Sequence, residues 1–212
     1  GVQTCALPIL TVDTGLPSVS FNAISDDNVL NAVEKGQDLR VSGTSANLAE
    51  GTVVAVTLNG KNYTATTAAD GTWSLTVPAA DLAGLGEANY ILSASATNGV
   101  GNSVSNTANL LVDTALPTVT INTVAGDNVI NAAEVAAGQT LSGKVTNAEA
   151  GNTVTVTIGG NTYTATVQSD LTWSVNVPES VLTALGNGDL TVSATVTNGH
   201  GNTGTGEREI AI

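Results

Sequence analysis

The chain is poor in the residues that usually carry chemistry. Its 212 residues include one cysteine, one histidine and no methionine, and aromatic residues make up 3% of the total. A lone cysteine excludes an internal disulfide and a cysteine-ligated zinc site. The lone histidine, His200, lies in a glycine-rich loop, and copy one has Val100 at that position, so His200 is interpreted as a surface-loop residue. No Gly-x-Ser-x-Gly elbow or phosphate-binding glycine loop occurs, and the sequence predicts a protein that is not an enzyme.

Basic residues and long apolar runs are also scarce. Lys and Arg total 5 against 18 Asp and Glu, which gives a formal net charge of −13. This charge disfavours nucleic acid and anionic membranes as partners and makes cations the natural complement. No stretch approaches the roughly 20 apolar residues of a membrane span, so no membrane insertion is expected.

What the chain does have is an internal repeat of one hundred residues. The segment LLVDTALPTVTIN at 110–122 restates LTVDTGLPSVSFN at 10–22. We therefore divide the sequence into copy one, residues 13–112, and copy two, residues 113–212, with residues 10–12 as the tail of a preceding repeat. One local shift occurs, where Gly36 aligns with Gly138.

The first nine residues, GVQTCALPI, do not fit the repeat. They resemble the translation of a sequencing-library adapter, so we expect residues 1–9 to be an artefact that includes Cys5. The alternative is a short apolar strand end. The chain then represents a fragment of a longer array of repeats.

The composition and turn chemistry predict strands. Small and β-branched residues alternate with polar ones between turn signals such as Asn59-Gly60, the pair typical of a tight type I′ hairpin. Copy one is predicted to hold seven strands: 18–23, 38–43, 52–58, 62–67, 72–77, 90–97 and 103–112. Residues 78–85, after a proline, predict one helical turn. The fold class is therefore all-β, with two tandem immunoglobulin-like antiparallel β-sandwich modules in an extended rod.

The few large aromatics have two interpretations. Trp73 and Trp173 each lie in a TWSxxVP strand, where apolar alternation favours a core position over a sugar-stacking platform. Tyr63 and Tyr163 are interpreted in the same way.

Several motifs together resemble the bacterial Ig-like repeats of giant biofilm-associated adhesins that Gram-negative bacteria secrete. They are VDTGLP and VDTALP, DDNVLNAVE and GDNVINAAE, YTATTAADGTWSLTVP and YTATVQSDLTWSVNVP, and TNGVGN and TNGHGN. The resemblance covers residues 10–212. It implies stalk units on the bacterial cell surface, exported by a type I system, whose partners are neighbouring repeats and a distal adhesive domain with an unknown receptor. It also implies calcium at module junctions, although this chain has Asn98 and Asn198 where the family often has Asp.

The positions of the acidic loops also point to a cation at the junction. If the strands alternate in direction, the loop 26–36 of copy one and the loop 198–202 of copy two both face the linker at Asp113. Calcium prefers six to eight oxygen ligands. The predicted ligands are Asp26, Asp27, Glu34 and Asp113, with oxygens of Asn28 and Asn198. Four carboxylates without a basic neighbour repel each other unless a cation neutralises them. Asp127 and Glu134 would form an incomplete second site.

The competing interpretation treats these acids as solvated loop residues, with Asp27-Asn28 as a turn and Asp113-Thr114 as a strand terminator. Function is then expected to be mechanical: stalk modules of an extracellular adhesin that acts in cell adhesion and biofilm formation. Two alternatives stay open. The modules bind a ligand such as a glycan themselves, or they are spacers in an extracellular hydrolase.

Overall fold

The computed structural model describes Val12 and residues 14–212. The predicted adapter segment, residues 1–9, therefore lies outside the described residues. The chain divides into two units, each with its own core. The first unit comprises the described residues up to Leu30 together with Glu34–Val112, and the second comprises Asp113–Ile212 together with Asn31–Val33.

The first unit is a sandwich of a three-stranded and a five-stranded sheet, with strand orders β1-β3-β6 and β2-β8-β7-β4-β5. All its pairings are antiparallel except the short β2–β8 pair. The strands are β1 Ser18–Phe21, β2 Val29–Leu30, β3 Leu39–Ala46, β4 Val53–Leu58, β5 Lys61–Thr66, β6 Thr72–Val77, β7 Ala88–Thr97 and β8 Ser103–Val112. A 3-10 turn spans Glu34–Gly36, and the helix α1 spans Ala79–Leu82.

The second unit repeats this arrangement with strand orders β13-β10-β9 and β12-β11-β14-β15. Its strands are β9 Thr118–Ile121, β10 Gln139–Thr146, β11 Thr153–Ile158, β12 Asn161–Thr166, β13 Thr172–Val177, β14 Asp189–Thr197 and β15 Thr203–Ala211. Its helices are α2 Ala132–Ala137 and α3 Glu179–Leu185. The all-β, immunoglobulin-like antiparallel sandwich predicted from the sequence is confirmed.

Each core is built around one tryptophan opposite a glycine. In the first unit Gly43 pairs with Trp73 across β3 and β6, and Phe21 meets the Trp73 ring edge-on at 5.4 Å. A Cβ on Gly43 would lie 2.5 Å from the indole, so only glycine leaves room for it. The second unit has the same pair in Gly143 and Trp173. The exposed fractions of the two tryptophans are 2% and 1%, which confirms the core interpretation and excludes exposed sugar platforms.

The tyrosines are less buried than the sequence suggested. Tyr63 and Tyr163 pack against the two cores but stay half-buried. The Tyr63 hydroxyl donates to Asp81 Oδ2 at 2.8 Å, so its polar end reaches the surface while its ring contributes to the core.

The sequence patterns do not predict two local elements, the strand β2 and the helix α2. The strand β2 was predicted as loop because it has only two residues and pairs in parallel with β8. The helix α2 was also missed. It occupies the place of the 3-10 turn of the first unit. The difference follows from the two-residue shift of a glycine, because Gly36 ends the turn early, whereas two more residues of helix-compatible sequence precede Gly138.

The two units close one edge of the sandwich differently. In the first, Asn106 Nδ2 on β8 donates to the Val19 carbonyl of β1 at 2.9 Å. In the second, a Cβ on Gly204 of β15 would lie 1.8 Å from Pro117 O, just before β9, and one on Gly206 would lie 2.0 Å from Val119 O in β9. Arg208 Nε also donates to Ile121 O at 2.7 Å. Both devices occupy carbonyls of an otherwise open strand edge.

Candidate functional site

The loop between β1 and β2 contains three of the predicted calcium ligands, and two of them build the loop itself. Asn28 Oδ1 accepts from the Ile24 amide at 3.0 Å, and Asn28 O accepts from the Leu111 amide at 2.9 Å. Asp27 Oδ1 accepts from the Val29 amide at 2.9 Å. Both oxygens of Asn28 are therefore engaged by backbone amides, whereas Asp27 uses one carboxylate oxygen in a local turn.

Asp26 and Glu34 lie together in a different place. Both line an open surface cavity of about 340 Å³ in the first unit, and Asp38 and Arg40 line it as well. Asp38 Oδ1 accepts from the Ala79 amide at 2.9 Å, which fixes that carboxylate at the start of α1. The cavity therefore combines three carboxylates with one guanidinium. The expectation that the carboxylates have no basic neighbour is wrong here.

Asp113, the predicted linker ligand, belongs to the second unit and has its partners within that unit. His200 Nδ1 lies 2.5 Å from Asp113 Oδ2, and Asn202 Nδ2 donates to Asp113 O at 2.8 Å. His200 is thus a loop residue, as expected, but it also gives Asp113 a basic neighbour that the sequence interpretation did not include. The position is specific to copy two, since copy one has Val100 there.

Asn198, the remaining predicted ligand, holds its loop together. Its exposed fraction is 8%. Its Oδ1 accepts from the amides of His200 at 3.1 Å and Asn202 at 2.9 Å, and its Nδ2 donates to Asn147 O at 3.2 Å. The side-chain oxygen of Asn198 is therefore used by the backbone.

The residues of the predicted second site also have local partners. Glu134 forms a capping box at the start of α2: Asn131 Oδ1 accepts from the Glu134 amide at 3.2 Å, and Glu134 Oε2 accepts from the Asn131 amide at 2.9 Å. Asp127 Oδ1 accepts from the Val129 amide at 2.9 Å. The Asn-x-x-Glu spacing is itself a helix-start signal, and it could have identified α2 from the sequence.

A polar cluster outside the predicted set links β5 to α1. Lys61 Nζ and the Tyr63 hydroxyl both donate to Asp81, at 2.5 and 2.8 Å. Two hydrogen bonds lower the pKa of Asp81, and the larger effect comes from Lys61 and the smaller from Tyr63. The pKa of Tyr63 is raised to about 12, mainly by burial and also by its hydrogen bond to the adjacent Asp81. Copy two has Asn161 and Val181 at the Lys61 and Asp81 positions, so the cluster belongs to copy one alone.

Comparison with known proteins gives a family. No family model and no curated protein matches the chain. A solved structure of a 1.5-MDa bacterial ice-binding adhesin is 30% identical with a TM-score of 0.59, over 94% of this chain and 65% of that one. A Ca²⁺-stabilized adhesin with which an Antarctic bacterium binds ice is 35% identical with a TM-score of 0.62, over 94% of this chain and 49% of that one.

A third structure, a bacterial immunoglobulin-like domain from the M. primoryensis ice-binding adhesin, is 36% identical over 47% of this chain and 97% of that one, with a TM-score of 0.35. The chain belongs to the bacterial Ig-like repeats of large adhesins. It spans 65% and 49% of the first two similar structures, so it corresponds to part of their length.

The two similar structures are of adhesins, and this similarity supports a structural role for the repeats. Within the part of the chain that the structure describes, no three His, Cys, Asp or Glu side chains form a group that could hold a metal. The junction calcium site therefore stays a prediction. Across the same residues, no helix has both the length and the apolar character needed to cross a membrane.

The sequence interpretation of these Ig-like repeats missed Arg40, His200 and Asn202. Arg40 alternates with apolar neighbours on β3, so only the cavity beside it distinguishes it from any exposed strand residue. Asn202 is 1% exposed, and its burial follows from its position at the end of a closed loop, which spacing alone does not reveal.

Proposed function

We propose that the chain is a pair of non-catalytic stalk repeats that hold a distal adhesive domain away from a bacterial cell surface, in a protein of cell adhesion and biofilm formation exported by a type I system. The observation that carries this proposal is the similarity to two adhesin structures at 30% and 35% identity over 94% of the chain. The location that goes with it is extracellular, and the partners are neighbouring repeats of the same chain.

The internal construction of the units suits a mechanical role. Each unit has a separate core in which strands from both sheets bury valines, leucines and one tryptophan. Because neither described core borrows residues from the other, a repeat that opens under load leaves its neighbour folded. The Pro117 ring and its restriction of Leu116 also favour an extended linker between the copies.

The stalk proposal is tested by pulling the chain between its ends in a single-molecule experiment. Two separate unfolding events are expected, each releasing roughly 30–35 nm for about 100 residues of extended chain. A single event of twice that length would reject two independent load-bearing repeats.

We extend the proposal to calcium at the junction of the repeats. Its support is that one similar structure is a Ca²⁺-stabilized adhesin, and that Asp26, Asp27, Glu34 and Asp113 supply carboxylates. Asn28 and Asn198 contribute less to it, because backbone amides already engage their side-chain oxygens. Extracellular modules typically bind calcium at about 0.1–1 mM.

The calcium test compares small-angle scattering with calcium and with chelator. Calcium is expected to give a longer and narrower distance distribution, and Asp113→Ala is expected to abolish the difference while both repeats stay folded. Because Asp113 also contacts His200, His200→Val, which installs the residue of copy one, is the matched control and should keep the calcium response. Equal profiles in both buffers would reject a calcium-locked junction.

A second candidate function, ligand binding by the first repeat, has one specific observation in its favour. Four charged residues, Asp26, Glu34, Asp38 and Arg40, line the cavity in copy one. Copy two keeps only Glu134 of these charges, since it has Gly126, Gly138 and Thr140 one hundred residues after Asp26, Asp38 and Arg40. Such a set of donors and acceptors suits polar ligands such as glycans. A glycan-array screen of the chain against Arg40→Thr tests it: binding lost in the variant supports this function, and no binding by either protein rejects it.

A further inference from the structure

The chain contains four Asn-Gly pairs, and the structure treats them differently. They are Asn59-Gly60, Asn98-Gly99, Asn187-Gly188 and Asn198-Gly199. In an Asn-Gly pair the glycine amide nitrogen can attack the side-chain carbonyl carbon of the asparagine. That attack requires a mobile side chain and an accessible amide nitrogen, so the surroundings of each pair decide how fast it reacts.

Three of the pairs are restrained. Asn198 is buried, its amide group makes three hydrogen bonds, and Gly199 N donates to Glu149 Oε2 at 3.2 Å. Asn98 Oδ1 accepts from the Val100 and Asn102 amides at 3.2 and 2.9 Å. Asn187 is exposed, but the amide nitrogen of Gly188 donates to Ile212 O at 2.9 Å.

The fourth pair has none of these restraints. Asn59 and Gly60 form the exposed two-residue turn between β4 and β5, with φ angles of 47° and 77°. Among the described residues, the side chain of Asn59 and the amide of Gly60 make no hydrogen bond, and a Cβ on Gly60 would meet nothing within 4 Å. Both reacting groups are therefore open to solvent.

We infer that Asn59 is the site of spontaneous chemical modification in this chain, through a succinimide that converts it to aspartate and isoaspartate. The Gly60 nitrogen forms a bond to Asn59 Cγ and loses its proton, the Cγ–nitrogen bond of the side-chain amide breaks, and ammonia leaves. Water then opens the five-membered ring at either carbonyl. Opening at one carbonyl gives aspartate, and opening at the other gives isoaspartate.

The two products affect the first repeat differently. Aspartate keeps the backbone of the turn and adds one negative charge to an already acidic chain. Isoaspartate inserts a methylene into the main chain of a two-residue turn, where the Leu58–Lys61 pairing sets the register of β4 and β5. Copy two has Gly159-Gly160 at this turn and cannot undergo the reaction.

The test is to incubate the full chain in mildly alkaline buffer and follow all four pairs by peptide mass mapping and isoaspartyl methyltransferase labelling. Asn59 is expected to react first, at least ~10-fold faster than Asn98 or Asn198, because those side chains must first give up hydrogen bonds. Asn59→Gly, which copies the turn of the second repeat, should remove the leading signal and leave the other sites unchanged.

A parallel incubation in denaturant separates structure from sequence. There the rates at the four pairs should converge, since the hydrogen bonds that restrain three of them are absent. Labelling that begins at Asn98 or Asn198 in the folded chain would overturn the inference. An Asn59 lead that persists unchanged in denaturant would also overturn it, because local sequence would then set the order.

Discussion

The two tryptophans occupy equivalent places but differ in one hydrogen bond, and this difference predicts unequal costs for one substitution. Trp73 Nε1 donates to Thr44 O at 3.2 Å, whereas the buried Trp173 Nε1 has no hydrogen-bond partner among the described residues. Replacing either residue with phenylalanine removes similar volume from a similar core. The two substitutions differ in whether the indole N–H that they remove had a hydrogen-bond partner.

In the first unit, Trp73→Phe loses a hydrogen bond with a net value of about 1 kcal/mol in addition to the lost packing. In the second unit, Trp173→Phe removes a buried donor whose unsatisfied state costs about 1–3 kcal/mol. We therefore expect Trp73→Phe to destabilise its unit by about 2–4 kcal/mol more than Trp173→Phe destabilises the second unit. Truncation to alanine should cost about 3–5 kcal/mol in both units, because lost burial then dominates.

Hydrogen exchange of the full chain measures each unit separately. The amides of Val54 and Val56 on β4 report global opening of the first unit, and those of Val154 and Val156 on β11 report the second. Both pairs are buried, with exposed fractions of 0%. Equal losses of protection in the two phenylalanine variants would refute the argument, as would a larger loss for Trp173→Phe.

Three further substitutions and one matched control test other parts of the structure. Gly43→Ala should destabilise the first unit by at least about 2 kcal/mol, because its Cβ would lie 1.8 Å from Ser20 O, whereas Gly84→Ala, which has nothing within 4 Å, should be neutral in thermal unfolding. Asn131→Ala should cost the second unit about 1 kcal/mol in denaturant unfolding through loss of the α2 cap; an unchanged midpoint would count against the capping box. The pKa of Asp81 is lowered from 3.8, so its contribution to the stability of the first unit is full above pH 3.8 and declines as the pH falls further. The pKa of Tyr63 is raised from 10.0 to about 12, so the first unit should lose stability as the pH rises through that interval. Acid and alkaline unfolding of Asp81→Asn checks both, and a pH profile identical to that of the parent chain would contradict the pair.

The strands were largely predictable because alternation and turn residues are local signals. The prediction of 72–77 and 103–112 matches β6 and β8, and Asn59-Gly60 forms the expected hairpin turn with two positive φ angles. The remaining strand boundaries shift by one to three residues, because pairing with a neighbouring strand, which the local sequence does not encode, decides where a strand ends.

The candidate site was less predictable, for a physical reason. A carboxylate or amide in a loop can bind a cation or accept from a nearby backbone amide, and the residue types are the same in both cases. Asn28, Asn198 and Glu134 do the second in this structure. Only the backbone geometry of the loops distinguishes a cation ligand from an acceptor of backbone hydrogen bonds. The spacing of residues in the sequence does not reveal that geometry.

The different edge closures of the two units have a consequence for folding. Repeats of similar sequence in one chain risk exchanging strands, a characteristic misfolding route of tandem arrays. A β9 strand placed against β8 would meet Val104 and Asn106 where its own partner has Gly204 and Gly206, which leave space for its carbonyls. The backbone of β9 therefore approaches β15 more closely than a side chain at Gly204 or Gly206 would allow. We expect the difference at these few positions to favour pairing of each strand within its own repeat while the chain folds.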